Sequence, residues 1–358
     1  MASYHPLRSL YLTRIREFYR QPARLFWVYG FPTVLALGLG MAFRSPSSPI
    51  YQADLVDNPA APAIKKKIDE IDSRRKEGDA RFVLKLNSKT EALRRLRVGK
   101  TPLVIEPAES SSGGVIYHFD PTRAEAVAAR AAFDDALQRA AGRKDSVPTV
   151  DDHKTEPGGR YIDFLIPGLI GQNTMGGGLW GVGFLLVNFR IGKLLKRFAA
   201  TPMPRRDFLL AILLARLTFL VPDVAVLLLM GVLVFGMPIV GSLWLVGLIE
   251  VVGALAFAGI GLLIASRAQT TETVSGLMNL VMLPMWVFSG LFFSSERFPE
   301  TIQPFIKALP LTQLLNALRR VMLEGAGLFD RDILISLGIL IAWAVGTFTL
   351  ALRRFRWT

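Results

Sequence analysis

Six apolar runs, each close to or above the length that crosses a lipid bilayer, constrain the fold of this chain more than any other feature. We predict membrane helices at residues 25–43, 161–187, 207–235, 242–265, 273–293 and 332–352. About 20 apolar residues cross the hydrocarbon layer as a helix, and 51% of the 358 residues are hydrophobic. Backbone groups in lipid must be satisfied within the segment, which requires helices here. The sequence therefore predicts an α-helical polytopic membrane protein with six transmembrane helices.

Positive charge is concentrated at the ends of these runs. Arginines precede the first run, the loop at 188–206 is basic, and Arg353, Arg354 and Arg356 follow the last run. Because Lys and Arg are enriched on the cytoplasmic side of membrane helices, the N- and C-termini are predicted to be cytoplasmic. This topology explains the net charge of +13 without a nucleic acid as a partner. The basic face of a folded nucleic-acid-binding module is also missing from the sequence.

Residues 1–24 are predicted to form an amphipathic interface helix on the cytoplasmic membrane surface, with arginines opposite an apolar face of Leu7, Leu10, Tyr11, Ile15 and Phe18. The first run, 25–43, follows as an uncleaved membrane helix, because it begins too late for a signal peptide and lacks a convincing cleavage site.

Residues 44–158 are polar and carry both signs of charge. Their strand and helix patterns follow the order β-α-β-α-β-β-α, which is typical of a small α/β domain. Ser88 and Glu91 have the spacing of a capping box that opens the second helix, and Thr122 and Glu125 have the same spacing before the third. Counting crossings from a cytoplasmic N-terminus makes this domain extracytoplasmic. The remaining residues, 159–358, are predicted to hold the other five membrane helices.

The fifth run ends at a serine–glycine pair and gives way to a segment with repeated prolines, instead of to a polar loop. We predict a re-entrant outer hairpin at 290–327 that ends in an amphipathic helix, with Arg319 and Arg320 near the outer headgroups. Crossing count places the hairpin on the outer side of the membrane. Its predicted outer gate consists of Ser289, Gly290, Phe292 and Phe293.

Three charged residues, Arg216, Asp223 and Glu250, lie within predicted spans. Each costs about 2.5–3.5 kcal/mol or more if it faces lipid unpaired, so each should face protein or water. A structural pair of Arg216 with Glu250 or Asp223, and a role in the substrate path, both remain open. Three uncharged polar residues also lie in predicted spans; they are Gln172, Asn173 and Asn279. We expect them to form hydrogen bonds between helices, and the alternative is that they line the substrate path.

The segment Gly176-Gly177-Gly178-Leu179-Trp180-Gly181 matches the G-x-G-x-x-G pattern of dinucleotide-binding proteins. That pattern requires a preceding strand and a βαβ unit, whereas this match lies inside a predicted span. Gly177 and Gly181 are instead expected to allow close helix packing.

Several chemistries find no support in the sequence. The chain has no cysteine, has three histidines without metal-site spacing, and has no contiguous catalytic motif. We therefore predict no cofactor, no metal and no enzymatic activity on this chain. A G-x-x-x-x-G-K-[ST] phosphate-binding loop is also absent from the sequence. If transport here uses ATP, ATP and Mg²⁺ are expected on another polypeptide.

The loop at 193–206 is short, basic and amphipathic. In one interpretation, its basic residues only keep the loop on the cytoplasmic side of the membrane. In the other, the loop forms a rigid helical knob that enters the groove of a partner. The candidate contact residues are Lys193, Leu194, Leu195, Arg197, Phe198, Thr201, Pro202, Arg205 and Arg206.

These segments, in this order, resemble the membrane (permease) subunit of an ABC-2-type ABC transporter. The similar motifs are YIDFLIPGLIGQNTM (161–175), KRFAATPMPRRDFLLAILLARL (196–217) and the Ser-Gly-x-x-Phe, proline-rich stretch up to Gly325. The large domain after the first span is similar to that of exporter-like members. The resemblance implies a coupling helix at 193–206, a dimer with a second permease copy or paralogue, separate ABC ATPase subunits, and a bacterial inner membrane.

The function that these expectations favour is export of a small hydrophobic or amphipathic compound, such as a drug, natural product or lipid. One alternative is a membrane-anchored sensor whose outer domain binds a ligand, although no cytoplasmic output domain is recognisable. Another is an anchored enzyme with its active site in residues 44–158, although no catalytic set is recognisable there.

Overall fold

The computed structural model describes residues 6–42, 49–75, 79–108, 114–143, 160–200 and 204–354. The chain divides into two compact units, a helical unit of Met1–Arg44 with Thr155–Thr358, and an α/β unit of Ser45–Lys154. The helical unit contains the predicted spans, and the α/β unit is the polar segment between the first two.

The helical unit begins with an amphipathic helix that packs on another helix of the same unit. Phe18 stacks on Phe219 with ring centroids 4.0 Å apart, and the hydroxyls of Tyr11 and Thr218 lie 2.9 Å apart. Pro22 then starts a new helix, because proline suits the first helical turn. The elements are α1 (Pro6–Tyr19), α2 (Pro22–Leu25), a π-helix (Phe26–Gly30) and α3 (Phe31–Ala42).

The α/β unit is a four-stranded sheet with three helices, in the order that the sequence predicts. The sheet order is β2-β1-β3-β4, with β1 parallel to β2 and β3, and β4 antiparallel to β3. The elements are β1 (Ile50–Val56), α4 (Ala61–Ser73), β2 (Arg81–Asn87), α5 (Lys89–Arg97), β3 (Leu103–Pro107), β4 (Val115–Phe119) and α6 (Ala124–Ala140).

Alternation along the strands of the α/β unit divides its apolar residues between the two faces of the sheet. Helices α4 and α6 cover one face, where Phe133 contacts Phe82 with ring centroids 4.9 Å apart. Helix α5 covers part of the other face, next to Val56 and Val104.

One of the two predicted capping boxes is correct. Ser88 accepts a hydrogen bond from the Glu91 backbone N–H at the start of α5. The prediction for Thr122 is wrong, because its N–H and hydroxyl both donate to the Asp120 carboxylate, at 2.9 and 2.7 Å. Helix α6 therefore begins later, at Ala124.

The remaining helices of the helical unit follow in one run with short connections. They are α7 (Tyr161–Gly178), a second π-helix (Leu179–Phe184), α8 (Leu185–Ile191), α9 (Leu194–Ala199), α10 (Arg205–Leu233), α11 (Leu243–Arg267), α12 (Thr271–Phe288), two 3₁₀ turns (Ser295–Arg297 and Glu300–Ile302), α13 (Gln303–Ala308), α14 (Pro310–Glu324) and α15 (Arg331–Arg354).

Four helices of the described chain are long and apolar enough to cross a membrane, at Pro22–Ala42, Asp207–Leu233, Leu243–Arg267 and Arg331–Arg354. The other two predicted spans are helical as well, at α7 to α8 and at α12. Helix α7 is central, with 12 of its 18 residues buried, so it faces protein more than lipid and tolerates polar residues. The protein is thus multi-pass, and six crossings remain a prediction.

Helix α11 packs against α7 and the second π-helix through glycines. A Cβ at Gly178 would lie 2.5 Å from Phe257 Cβ, and one at Gly183 would lie 2.5 Å from the Gly261 carbonyl oxygen. Gly177 and Gly181 have a different role from the predicted one. The nearest atoms to a Cβ at Gly177 all belong to Arg216, and a Cβ at Gly181 would lie 3.7 Å from Arg216 Cδ. These two glycines make room for a charged side chain instead of a helix backbone.

We expect Gly178→Ala to destabilise the helical unit by about 1–3 kcal/mol, because the new methyl overlaps a packed backbone. Gly176→Ala, two residues earlier on the same helix, is the matched control, since no atom of another described element lies within 4 Å of its Cβ. Thermal unfolding in detergent micelles measures both. Equal stability of the two variants would contradict this packing.

Candidate functional site

A cluster of charged residues is buried between α10 and α11. Arg216 is 7% exposed, Asp223 2% and Glu250 1%. Arg216 Nη1 donates to Asp223 Oδ2 at 2.7 Å. Of the two partners that the sequence left open for Arg216, Asp223 is therefore the one that forms the ion pair. Both residues of the pair belong to α10, and Glu250 belongs to α11. The charges are therefore enclosed by protein and do not face lipid.

Helix α7 contributes two polar neighbours to this cluster. The Thr174 hydroxyl hydrogen-bonds Oε2 of Glu250, and Arg216 Nη2 donates to the Asn173 carbonyl at 3.3 Å. The Asn173 side chain in turn donates to the Val28 carbonyl at 3.2 Å. Among the described residues, the hydrogen bonds of the cluster involve neither Gln172, which is half-buried on α7, nor Asn279, which is exposed on α12.

The first π-helix supplies the other side of the cluster. Val28 and Tyr29 belong to it, and Tyr29 is close enough to Asp223 to interact with it electrostatically. π-Helical turns are rare and frequently occur at functional sites. Within the described residues, two buried atoms of the cluster have no hydrogen-bond partner, Arg216 Nε and Glu250 Oε1. The cluster thus joins four chain segments with part of its hydrogen-bonding capacity unused.

The predicted coupling segment contains a helix shorter than expected. Helix α9 covers Leu194–Ala199 and follows Lys193, which has a left-handed φ of +56°. Arg205 and Arg206 begin α10, and the predicted contact residues Thr201 and Pro202 lie outside the described residues.

The apolar face of α9, which we assigned to a partner, packs on the chain itself. Leu195 is 1% exposed, and the Phe198 ring lies 5.1 Å from that of Phe208. The exposed side chains here are instead basic, at Lys193, Lys196 and Arg197. The free surface of α9 is thus a positively charged patch.

Arg190, at the end of α8, attaches this region to α11. Its Nη1 donates to the carbonyls of Ala265 and Ala268, both at 2.7 Å, where α11 ends. The last carbonyls of a helix lack partners within the helix and carry partial negative charge, so a guanidinium stabilises them. This contact was not predictable from the sequence, because Arg190 is one of several basic residues in a loop whose charge topology alone explains.

The predicted outer gate lies where α12 ends. Ser289 is fully buried, and Gly290 adopts a left-handed φ of +80°, which glycine allows without strain. The Leu291 carbonyl lies so close to α7 that a Cβ at Gly168 would be 2.8 Å from it. Phe292 packs on the main core, while Phe293 is 40% exposed. Three of the four predicted gate residues are thus part of a packed turn.

Arg319 of α14 holds this turn against α7. Its Nη2 donates to the Gly290 carbonyl at 2.7 Å and to the Phe164 carbonyl at 3.2 Å, and its guanidinium lies 3.5 Å from the Phe164 ring centroid. We predicted Arg319 near the outer headgroups; its guanidinium binds backbone carbonyls and a ring of the chain, and its level in the membrane stays a prediction. Arg320, on the next face, pairs with Glu324, Asp330 and Asp332.

We expect Arg319→Gln to destabilise the helical unit by about 2–3 kcal/mol, because buried carbonyls lose a charged donor and the ring loses a cation. Arg320→Gln is the control and should cost less than about 1 kcal/mol, since its ion pairs are partly exposed. Thermal unfolding of both variants tests this, and a larger loss for Arg320→Gln would contradict the assignment.

The α/β unit offers charged residues but little that suggests chemistry. Glu106 lies 2.6 Å from Lys89 and 2.9 Å from His118, and these hydrogen bonds, that of Lys89 above all, hold its pKa below the usual value. Among the described residues, no group of three or more His, Asp or Glu side chains could hold a metal ion. These two contacts join the start of α5 and strand β4 to strand β3.

Long apolar helices packed around a buried charged cluster, with a basic turn at one end, define a multi-pass membrane protein. The sequence pattern of the ABC-2 family transporter proteins matches residues 23–353. The chain therefore belongs to that family, which confirms the resemblance that its motifs suggested.

Relatives include ABC transporter permeases. The chain is 28% identical over 191 residues to ABC transporter G family member 20 of Dictyostelium discoideum, a match that covers 53% of this chain and 26% of that protein. It is 32% identical over 135 residues to the inner membrane transport permease YhhJ of Escherichia coli, covering 37% of this chain and 34% of that one.

A third relative is the linearmycin resistance permease protein LnrN of Bacillus subtilis, 31% identical over 102 residues, or 28% of this chain and 26% of that protein. The chain thus matches about a quarter to a third of the length of these relatives.

Proposed function

We propose that this chain is the permease subunit of an ABC exporter in a bacterial inner membrane. Two copies, or one copy and a paralogue, form the path for a small hydrophobic or amphipathic compound, and a separate subunit hydrolyses ATP with Mg²⁺. The observation that carries this proposal is the family match over residues 23–353. A relative named for linearmycin resistance supports a small organic compound as cargo.

In this proposal the basic patch of α9 contacts the ATPase. Lys193, Lys196 and Arg197 are exposed there and favour an acidic partner surface. Movement of α9 reaches α10 through Phe198 and Phe208, and the adjoining α8 reaches α11 through Arg190. These two helices carry the buried charges, so rotation of one against the other changes the path between them.

The absence of cysteine from the sequence makes orientation directly testable. A single cysteine at exposed Lys196 of α9 should react with a membrane-impermeant maleimide only after the cells are opened, whereas one at exposed Lys66 of α4 should react in intact cells. Such labelling would place α9 on the cytoplasmic side of the membrane and the α/β unit on the outer side. Labelling of Lys196→Cys in intact cells would contradict the proposed topology.

Co-purification tests the proposed assembly. We expect the chain to co-purify with an ABC ATPase produced in the same cells, and the complex to hydrolyse ATP faster when hydrophobic compounds are added. Absence of a complex, together with ligand binding by the α/β unit that is independent of ATP, would instead support the sensor alternative.

A further inference from the structure

The buried cluster has an odd number of charged side chains. Arg216 and Asp223 form a pair at 2.7 Å and neutralise each other. Glu250 is left, 1% exposed, with the Thr174 hydroxyl as the partner of Oε2. Its other oxygen, Oε1, is buried without a hydrogen-bond partner among the described residues. An ionised Glu250 would thus be a single uncompensated charge inside the helical unit.

Among the described residues near Glu250, Arg216 is the one positive charge. The polar and charged groups that act on it electrostatically are Thr174 on α7 and Arg216 and Asp223 on α10. Arg216 is already paired, and Asp223 adds a second carboxyl. Around it α11 packs with α7 and α14 through glycine contacts, as at Gly253, where a Cβ would lie 2.8 Å from Leu314 Cδ1.

A carboxylate that is buried and unpaired becomes neutral by binding a proton, because the charged form loses the solvation that water provides. A proton is also a ligand that this tightly packed site accommodates without a cavity. A protonated carboxyl carries one O–H, and the Thr174 hydroxyl can hydrogen-bond it either as the donor or as the acceptor.

We propose that Glu250 is a proton-binding site, which holds an exchangeable proton in this conformation. Release transfers the proton to water and leaves a carboxylate, for which Arg216 is the available counter-charge. Arg216 Nε has no hydrogen-bond partner among the described residues, so its N–H can donate to a new acceptor without first breaking a bond at that atom. The inference concerns the charge of this chain alone and does not depend on its cargo or on an ATPase.

Infrared difference spectroscopy on the purified full chain in lipid nanodiscs tests this directly. The spectrum of the wild type minus that of Glu250→Gln should contain the carbonyl band of a protonated carboxyl. That band should shift in D₂O and weaken as the pH is raised. Glu272→Gln, at an exposed glutamate in the first turn of α12, should leave the band intact.

Thr174→Ala provides a second route if Glu250→Gln does not fold. Loss of the hydroxyl should shift the frequency of the band without removing it, which only a carboxyl bonded to Thr174 would show. Absence of the band in the wild type at every pH would overturn the proposal. A band that is unchanged in D₂O and at every pH would equally overturn it, because the proton would then be fixed instead of exchangeable.

Discussion

Arg216→Ala should lower the stability of the helical unit by about 3–5 kcal/mol, because it leaves the Asp223 carboxylate buried without its partner. Asp223 is 2% exposed, and its contact with Arg216 Nη1 is a charge-assisted hydrogen bond. The Asn173 carbonyl loses a donor as well. We expect this to be among the most damaging side-chain substitutions in the chain, measured as the loss of thermal stability in detergent micelles.

The matched control removes both charges together. The double variant Arg216→Met with Asp223→Leu should be markedly more stable than Arg216→Ala, because replacing a buried ion pair by apolar residues is often neutral or stabilising. If the double variant is no more stable than the single one, the cost does not arise from an unpaired charge. The double variant also shows whether transport requires the charges or only the packing.

Reversing the charge of α9 should uncouple ATP hydrolysis from transport. We expect Lys196→Glu combined with Arg197→Glu to reduce ATP-driven transport about tenfold or more, which corresponds to losing about 1.4 kcal/mol of contact with an acidic partner surface. Both side chains are exposed, so the fold should keep its thermal stability. Transport and ATP hydrolysis are measured together in proteoliposomes that contain the ATPase subunit.

Lys307→Glu is the control for this charge reversal, since Lys307 is an exposed lysine on α13, away from the basic patch. It should transport at nearly the wild-type rate. Phe198→Ala differs from both variants, because the contact of Phe198 with Phe208 also predicts a loss of stability. Normal transport by the α9 double reversal would contradict the role of this surface.

Local features of the fold were predictable from the sequence, because they depend on contacts between near neighbours in the chain. The strand and helix order of the α/β unit follows from patterns of a few residues, and the Ser88 cap depends on a hydrogen bond three residues away. The partner of Arg216 could also have been predicted from the sequence. Asp223 is seven residues, about two helical turns, further on and therefore on the same face of the helix.

Long-range contacts were not predictable in this way. Arg319 bonds to Phe164, 155 residues away, and an arginine on an amphipathic helix has the same local pattern whether it faces headgroups or backbone carbonyls. The apolar face of α9 has the same ambiguity, because Leu195 and Phe198 would look alike in a partner's groove and against their own helices. In each case the partner of the side chain depends on how distant helices are placed relative to one another. The hydrophobic pattern of a single helix does not specify that placement.

The most direct test of the proposed function is ATP-driven uptake of a hydrophobic fluorescent compound into inside-out vesicles that contain this chain and its ATPase. Because outward transport in the cell corresponds to inward transport in such vesicles, the proposal predicts accumulation that requires hydrolysable ATP. Accumulation should be lost in the Lys196→Glu, Arg197→Glu variant. A panel of hydrophobic and amphipathic compounds that all fail to accumulate, in vesicles where the complex hydrolyses ATP, would contradict it.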